Sequence, residues 1–286
     1  MNQKHKFCLY MPPVSTISTY KEMVDYAAAH GISHLETLNI LDLSTPDLQV
    51  AKELKAYADS KGITFPCVSV GINLVGSNRA AAIADLKQYA DIAKILGSPY
   101  LHHTIALTFS DPQKIADNFE LYYSRGLEAV REVYDYAAAL GIRTIYEDQG
   151  FLFNGKEMFA RFLKDVDRNV GIVADFGNIQ FVDENVETFI PAFADRIVHV
   201  HAKDYIVTQG NTRPIESGEY TSKGGNYLRG CLIGEGNVNT DAAFRALQAM
   251  GYQGFVALEG DPIGPDEEAS FRKNLATVTH FIDTYL

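Results

Sequence analysis

A helix–glycine–strand phrase repeated five times constrains this chain more than any other feature. It reads YAAAHGISHLE (26–36), YADSKGITFPCV (57–68), IAKILGSPYLHH (92–103), YAAALGIRTIYE (136–147) and LQAMGYQGFVALE (247–259). Each phrase opens with Ala- or Leu-rich sequence at helical spacing. Gly31, Gly62, Gly97, Gly141 and Gly251 then stand where a helix exit needs a left-handed residue, which glycine supplies without a Cβ penalty. The run after each glycine is rich in β-branched and aromatic residues, as a buried strand requires.

Three more strands read from FCLYM (7–11), VGIVAD (170–175) and RIVHVHA (196–202). Helical patterns fall at about 17–30, 47–61, 77–96, 111–140, 156–167, 186–194, 240–250 and 266–285. Thr45, Ser110 and Thr240 read as helix N-caps. Eight strands, each followed by a helix, imply a parallel sheet with right-handed crossovers. The count and length fit an α/β fold of the (β/α)8 TIM-barrel type, one domain spanning 1–286. A doubly wound open sheet is the alternative, but no Gly-x-Gly-x-x-Gly follows the first strand. The longest connection, 203–239 between the seventh strand and its helix, holds KGGNYLRG and GEGN and reads as a functional loop.

Composition removes several classes of function. With 36 acidic and 25 basic residues the net charge is −11, the wrong sign for displacing counterions from a nucleic-acid backbone. Three scattered cysteines make neither a disulfide framework nor a Cys-rich zinc site. There is no apolar run of about 18 residues and no signal-like N-terminus, so a cytoplasmic protein with no membrane and no nucleic-acid partner is expected.

In a barrel of this kind chemistry collects at the C-terminal ends of the strands. Reading those ends gives Glu36, His102 and His103, Glu147, Asp175, His199 and His201, and Glu259. The last four units bring together Glu147, Asp175, an imidazole and Glu259. Three carboxylates at one mouth repel one another unless a cation lies between them. Oxygen-rich ligation with one nitrogen suits one divalent ion, Mn2+ or Mg2+ first, with Co2+ or Zn2+ as further options. Taken singly each has a plainer reading: an acid after a strand is often a helix N-cap, and a barrel-interior His is often bonded to backbone.

The phrases YEDQG, VADFGN, HVHAKD, GEGNV and ALEG, in this order, resemble the xylose isomerase-like TIM-barrel superfamily. The resemblance covers nearly the whole chain. It implies Glu147, Asp175, His201 and Glu259 as metal ligands, His201 rather than His199 because it precedes x-K-D. It further implies Glu147 and Glu259 as a catalytic proton-transfer pair on opposite faces of a sugar or polyol substrate. A metal chelating a ketose carbonyl and its neighbouring hydroxyl acidifies the C–H between them, so an isomerase or epimerase working on sugars or sugar phosphates through an enediolate is expected. The alternative is a dehydratase of the inosose or dehydroshikimate type. An endonuclease IV-like phosphodiesterase and a non-catalytic sugar-binding protein rank below both. Homodimers and homotetramers are common in this group.

The chain departs from the superfamily's sugar epimerases at three places, having Asn178 for His, Val207 for Arg and Phe153 for Glu. The substrate residues expected here are Glu36, His103, Asn178, Lys203, Arg213 and Arg229. Glu36 is read as orienting a hydroxyl, His103 as the inward member of its pair, and the two arginines as meeting a phosphate or carboxylate.

Overall fold

The computed structural model describes residues 6–106, 117–210, 212–260 and 263–286. Eight parallel strands close into a barrel: β1 (Phe7–Leu9), β2 (His34–Thr37), β3 (Thr64–Val70), β4 (Tyr100–His103), β5 (Arg143–Glu147), β6 (Gly171–Asp175), β7 (Ile197–Ala202) and β11 (Val256–Leu258), with β11 pairing back onto β1. Eight helices surround it among the described residues: α1 (Tyr20–Ala29), α2 (Leu48–Lys61), α3 (Arg79–Leu96), α4 (Phe119–Ala139), α5 (Lys156–Asp165), α6 (Val186–Ala192), α7 (Thr240–Ala249) and α8 (Glu267–Tyr285). None of the described helices is long and apolar enough to cross a membrane.

The five repeated phrases fold alike. Their glycines all have left-handed φ, between 68° and 78°. The residue after each glycine bonds back to the carbonyl five positions earlier: Ile32 to Ala27 (2.9 Å), Ile63 to Ala58 (2.9 Å), Ser98 to Ala93 (2.9 Å), Ile142 to Ala137 (3.0 Å) and Tyr252 to Leu247 (3.0 Å). This six-to-one bond is the Schellman closure, which satisfies a terminal carbonyl and turns the chain into the next strand.

Two expected caps are displaced. Asp47, not Thr45, caps α2 through the Gln49 and Val50 amides. Asn239, not Thr240, caps α7 through the Ala242 amide, and Thr240 is the first helical residue. In both cases the side chain nearer the first free amides reaches them first. Ser110 and the first part of the helix expected over 111–140 lie outside the described residues.

The segment expected as a long loop holds a second, three-stranded antiparallel sheet. Its strands are β8 (Tyr205–Thr208), β9 (Glu219–Thr221) and β10 (Tyr227–Gly230), ordered β8-β10-β9. The Asp183 carboxylate anchors the β9–β10 turn to the barrel, accepting from Ser222 Oγ (2.6 Å), the Gly224 amide (2.6 Å) and Asn226 Nδ2 (2.8 Å).

Strand alternation sorts the core. Leu9, Leu35, Val68, Leu101, Tyr146, Ile172 and Val200 pack outward in the large cluster under the helices. Two small apolar clusters, Cys8–Tyr10–Ala257 and Cys67–Ile145–Val173, stand apart from it. Two residues along the same strand faces come Ser69, Glu147, Asp175 and Glu259, all but Glu259 buried. A polar layer therefore lies on an apolar floor, at the strands' C-terminal ends.

Candidate metal centre

Glu147, Asp175, His201 and Glu259 present ligand atoms that all lie within 4.8 Å of one another. Sheet register brings them together: Asp175 pairs with His201, and the Glu259 amide bonds Ala202 O at 3.0 Å. His201 Nδ1 lies 2.7 Å from Glu147 Oε1 and 2.9 Å from Glu259 Oε2. Asp175 Oδ1 accepts the Gly177 and Asn178 amides at 2.7 and 2.8 Å, so one oxygen caps the short 3-10 turn Asn178–Val182. Asp175 Oδ2 and Glu259 Oε2 are buried and take no hydrogen bond. The four residues thus fit a divalent ion by donor chemistry: three carboxylates, two of them with a buried oxygen that takes no hydrogen bond, and one imidazole nitrogen.

The electrostatics agree with that fit. Burial pushes the Asp175 carboxyl up, against the Lys203 ammonium and with Glu259 and Glu147 adding to the rise. Glu259 is held well below the usual carboxylate range despite its burial, because Lys203 and His201 lie against it. Burial opposes protonation of His201, yet Glu36, Glu147 and Glu259 together hold its pKa well above the usual value. Lys203 Nζ is 2.5 Å from Glu259 Oε1, 3.3 Å from Asp175 Oδ2 and 3.4 Å from Asn178 Oδ1.

A cavity of ≈ 410 Å3 meets this cluster at Glu259 and is lined also by Lys203, Asn178 and Arg229 among others. That volume suits a small molecule, such sites being roughly 300–1,000 Å3. Phe181, Tyr205 and Tyr220 form an aromatic wall, with ring centroids 5.6 to 5.7 Å apart around Phe181. Lys203 and Asn178, two of the expected substrate residues, line this cavity.

Of the other expected substrate residues, His103, Glu36 and Arg213 lie outside the cavity lining and Arg229 lies within it. His103 points out of the barrel: its Nε2 lies 3.0 Å from the Tyr146 hydroxyl and its Nδ1 3.0 Å from Thr104 O. Alternation puts His102 inward instead, with Nε2 4.0 Å from Glu147 Oε2. Glu36 is fully buried beneath the metal cluster and touches His199, His201 and Ser69 rather than the cavity. Arg213 lies outside the cavity lining, paired with Glu219 at 2.5 Å and with its guanidinium 5.3 Å from the Tyr227 ring centroid. Arg229 lines the cavity but is paired with Glu216 and Glu219 at 2.5 and 3.2 Å.

The sequence reading left three buried neighbours without a role. Ser69, His199 and Tyr10 join Glu36 and His102 in one interior layer, and Tyr10 lies against the His201 ring with centroids 4.7 Å apart. The signal for Ser69 and Tyr10 was the period of two: Ser69 follows the floor residue Cys67 as Tyr10 follows Cys8.

Asp204 explains the Gly234–Glu235–Gly236 turn. Its carboxylate accepts the amides of Gly234 (2.9 Å), Gly236 (3.0 Å) and Val238 (3.0 Å). A Cβ at Gly236 would stand 2.1 Å from Asp204 Oδ1, so no larger residue fits without opening the turn. Glu235 itself points away and pairs with Lys273.

Comparison with known proteins decides the family. The family described as xylose isomerase-like TIM barrel matches residues 24–279. The chain belongs to this family. An inosose dehydratase from Lactiplantibacillus plantarum is 28% identical over 145 residues, 48% of this chain and 45% of that protein. The match thus spans about half of either chain. A D-psicose 3-epimerase from Clostridium cellulolyticum H10, solved with D-tagatose, is similar over 98% of this chain and 99% of its own, with 21% identity and a TM-score of 0.74. A xylose isomerase-like TIM-barrel protein from Mycobacterium smegmatis, solved in complex with magnesium, is similar over 100% of both chains at 17% identity and a TM-score of 0.74. At these identities the structural likenesses establish the fold. Epimerases thus stand among the structural neighbours and a dehydratase is a partial sequence relative.

Proposed function

We propose that the chain is a divalent-metal-dependent isomerase or epimerase of an uncharged ketose or cyclic polyhydroxy ketone. The observation that carries this reading is the convergence of Glu147 and Glu259 on His201 Nδ1, at 2.7 and 2.9 Å, with Asp175 completing the set. A divalent ion held there would polarise a substrate carbonyl and its adjacent hydroxyl. One glutamate removes the proton from the carbon between those oxygens, and the other returns a proton from the opposite face, inverting the carbon. The two exchange roles when the reaction runs in reverse. Asn178 and Lys203 stand at the cavity wall, where they hold substrate hydroxyls. The aromatic wall excludes water from one face of the sugar.

The substrate is assigned as uncharged because the arginines expected to meet a phosphate are both paired with Glu219. Lys203, the other cation lining the cavity among the described residues, is ion-paired with Glu259 and Asp175.

One observation favours a second reading. Lys203 Nζ lies beside Glu259, where an ammonium serves to protonate a departing β-hydroxyl. That would make the enzyme a dehydratase, in keeping with the partial match to an inosose dehydratase. A panel of ketoses and inososes followed by NMR in D2O with Mn2+ or Mg2+ tests both. Deuterium entering beside the carbonyl without loss of water supports the epimerase, and accumulation of a dehydrated product overturns it in favour of the lyase.

A further inference from the structure

Beneath the metal cluster lies a hydrogen-bonded set that the proposed reaction does not use directly. Its hub is the Glu36 carboxylate, at the end of β2 and fully buried. Glu36 Oε2 is 2.6 Å from His199 Nε2. Glu36 Oε1 is 3.1 Å from His201 Nε2 and also accepts from the Ser69 hydroxyl. Ser69 Oγ in turn lies 2.9 Å from His102 Nδ1. Strands β2, β3, β4 and β7 are joined through this one carboxylate.

Counting protons along the set fixes which ring nitrogens face Glu36 and Ser69 as donors. An ionised carboxylate has only lone pairs, so the ring nitrogens facing it carry hydrogen. His201 therefore keeps its N–H at Nε2 toward Glu36; its Nδ1 faces Glu147 and Glu259 at 2.7 and 2.9 Å, and an ion seated among Glu147, Asp175 and Glu259 would take the place of a proton there and use the Nδ1 lone pair. Ser69 gives its only hydrogen to Glu36 and must accept from His102 Nδ1–H. His102 Nε2, buried and without a hydrogen-bond partner, then faces Glu147 Oε2 as a second lone pair. Packing alone does not call for a carboxylate here. The floor below is built from small and apolar side chains such as Cys8, Ile145, Val173 and Ala257, and burying a charge is unfavourable unless its partners need it.

We infer that Glu36 is a positioning residue for the metal centre, fixing the tautomer and ring orientation of His201 directly and of His102 through Ser69. This rests on the metal reading given above. A carboxylate behind a ligating imidazole raises its basicity and locks its plane, and loss of such a partner lowers metal affinity about 10–100-fold.

Calorimetric titration with Mn2+ or Mg2+, together with 15N spectra of histidine-labelled protein, tests the assignment. In wild type the His201 Nε2 carries a proton, with or without Mg2+. Glu36→Gln, folded by circular dichroism, binds the ion 10–100-fold more weakly, and Glu36→Asp falls between the two. Unchanged affinity in folded Glu36→Gln overturns the inference, and so does a bare Nε2 on wild-type His201. The spectrum decides the matter even if the variants fail to fold. Failure of the wild type to bind either ion overturns the metal reading, and the Glu36 inference falls with it, whereas wild-type binding with unchanged affinity in folded Glu36→Gln overturns the Glu36 inference alone.

Discussion

His103 donates to or accepts from the Tyr146 hydroxyl at 3.0 Å on the outer wall of the barrel, while the residue before it and the residue after Tyr146 face the metal cluster. Burial lowers the His103 pKa to about 4, against an ordinary value near 6.5. A depressed histidine favours the neutral native state. Its contribution is fully present above pH 6.5 and is lost as pH falls from there toward 4. Unfolding free energy should therefore drop by up to about 3 kcal/mol across that window. Urea denaturation of wild type and His103→Gln at several pH values checks this: the variant should show a shallower acid slope, and parallel slopes would refute the assignment.

Metal should stabilise the fold measurably. An ion present at a hundred times its dissociation constant adds about 2.7 kcal/mol. Thermal unfolding with Mn2+ against unfolding with chelator should differ by roughly 5 °C or more in a chain of this length. Asp175→Asn should abolish most of the difference, since Asp175 Oδ2 is one of the site's buried oxygens that take no hydrogen bond.

Glu147→Gln and Glu259→Gln should each lower kcat by about a thousandfold, the usual scale for removing a proton-transfer group. Both variants should also bind the ion more weakly, because the same carboxylates face it. Turnover at wild-type rate in either variant would remove that residue from the proton-transfer pair.

Two glycines should respond differently to alanine. At Gly141, φ is +78° and nothing lies within 4 Å of the added methyl, so only backbone strain opposes the change and about 1 kcal/mol is lost. At Gly236 the methyl meets the Asp204 carboxylate, and overpacking costs about 1–3 kcal/mol. Gly236→Ala should also raise KM, because the turn it distorts is held by Asp204, next to Lys203 in the cavity wall. Equal effects of the two substitutions on KM would count against this.

Arg229→Ala should leave KM for an uncharged ketose within about threefold, its guanidinium being paired with Glu216 and Glu219 at the rim. A tenfold rise in KM with a phosphorylated sugar, and none with the free sugar, would show that Arg229 leaves those partners for substrate.

The barrel was legible because its signals are local. A left-handed exit needs glycine and a buried strand needs β-branched or aromatic residues, so Gly31, Gly62, Gly97, Gly141 and Gly251 could be placed one by one. Glu147, Asp175 and Glu259 followed from the strand ends, and the family resemblance picked His201 over His199. What the sequence did not carry was direction at adjacent polar pairs. His102 and His103 both satisfy the end of β4, and only the phase of the strand, set by Cys67–Ser69 and Ile145–Glu147 beside it, turns His102 inward. Glu36 looked like a substrate group because its depth depends on the stagger of β2 against β3, where the register shifts between His34 and Glu36. The arginines looked free because Glu219 reaches them across a small sheet whose strands are three and four residues long.

The five Schellman closures lie at the opposite end of the barrel from the metal cluster. Mutational drift at those helix–strand joints therefore changes how much stability the protein has in reserve without altering what the mouth recognises. Drift in the β7–α7 insert does the reverse, reshaping one wall of the cavity on an unchanged frame. A chain built this way can acquire new substrates by revising 203–239 alone, provided the Asp204 anchor at its root is kept.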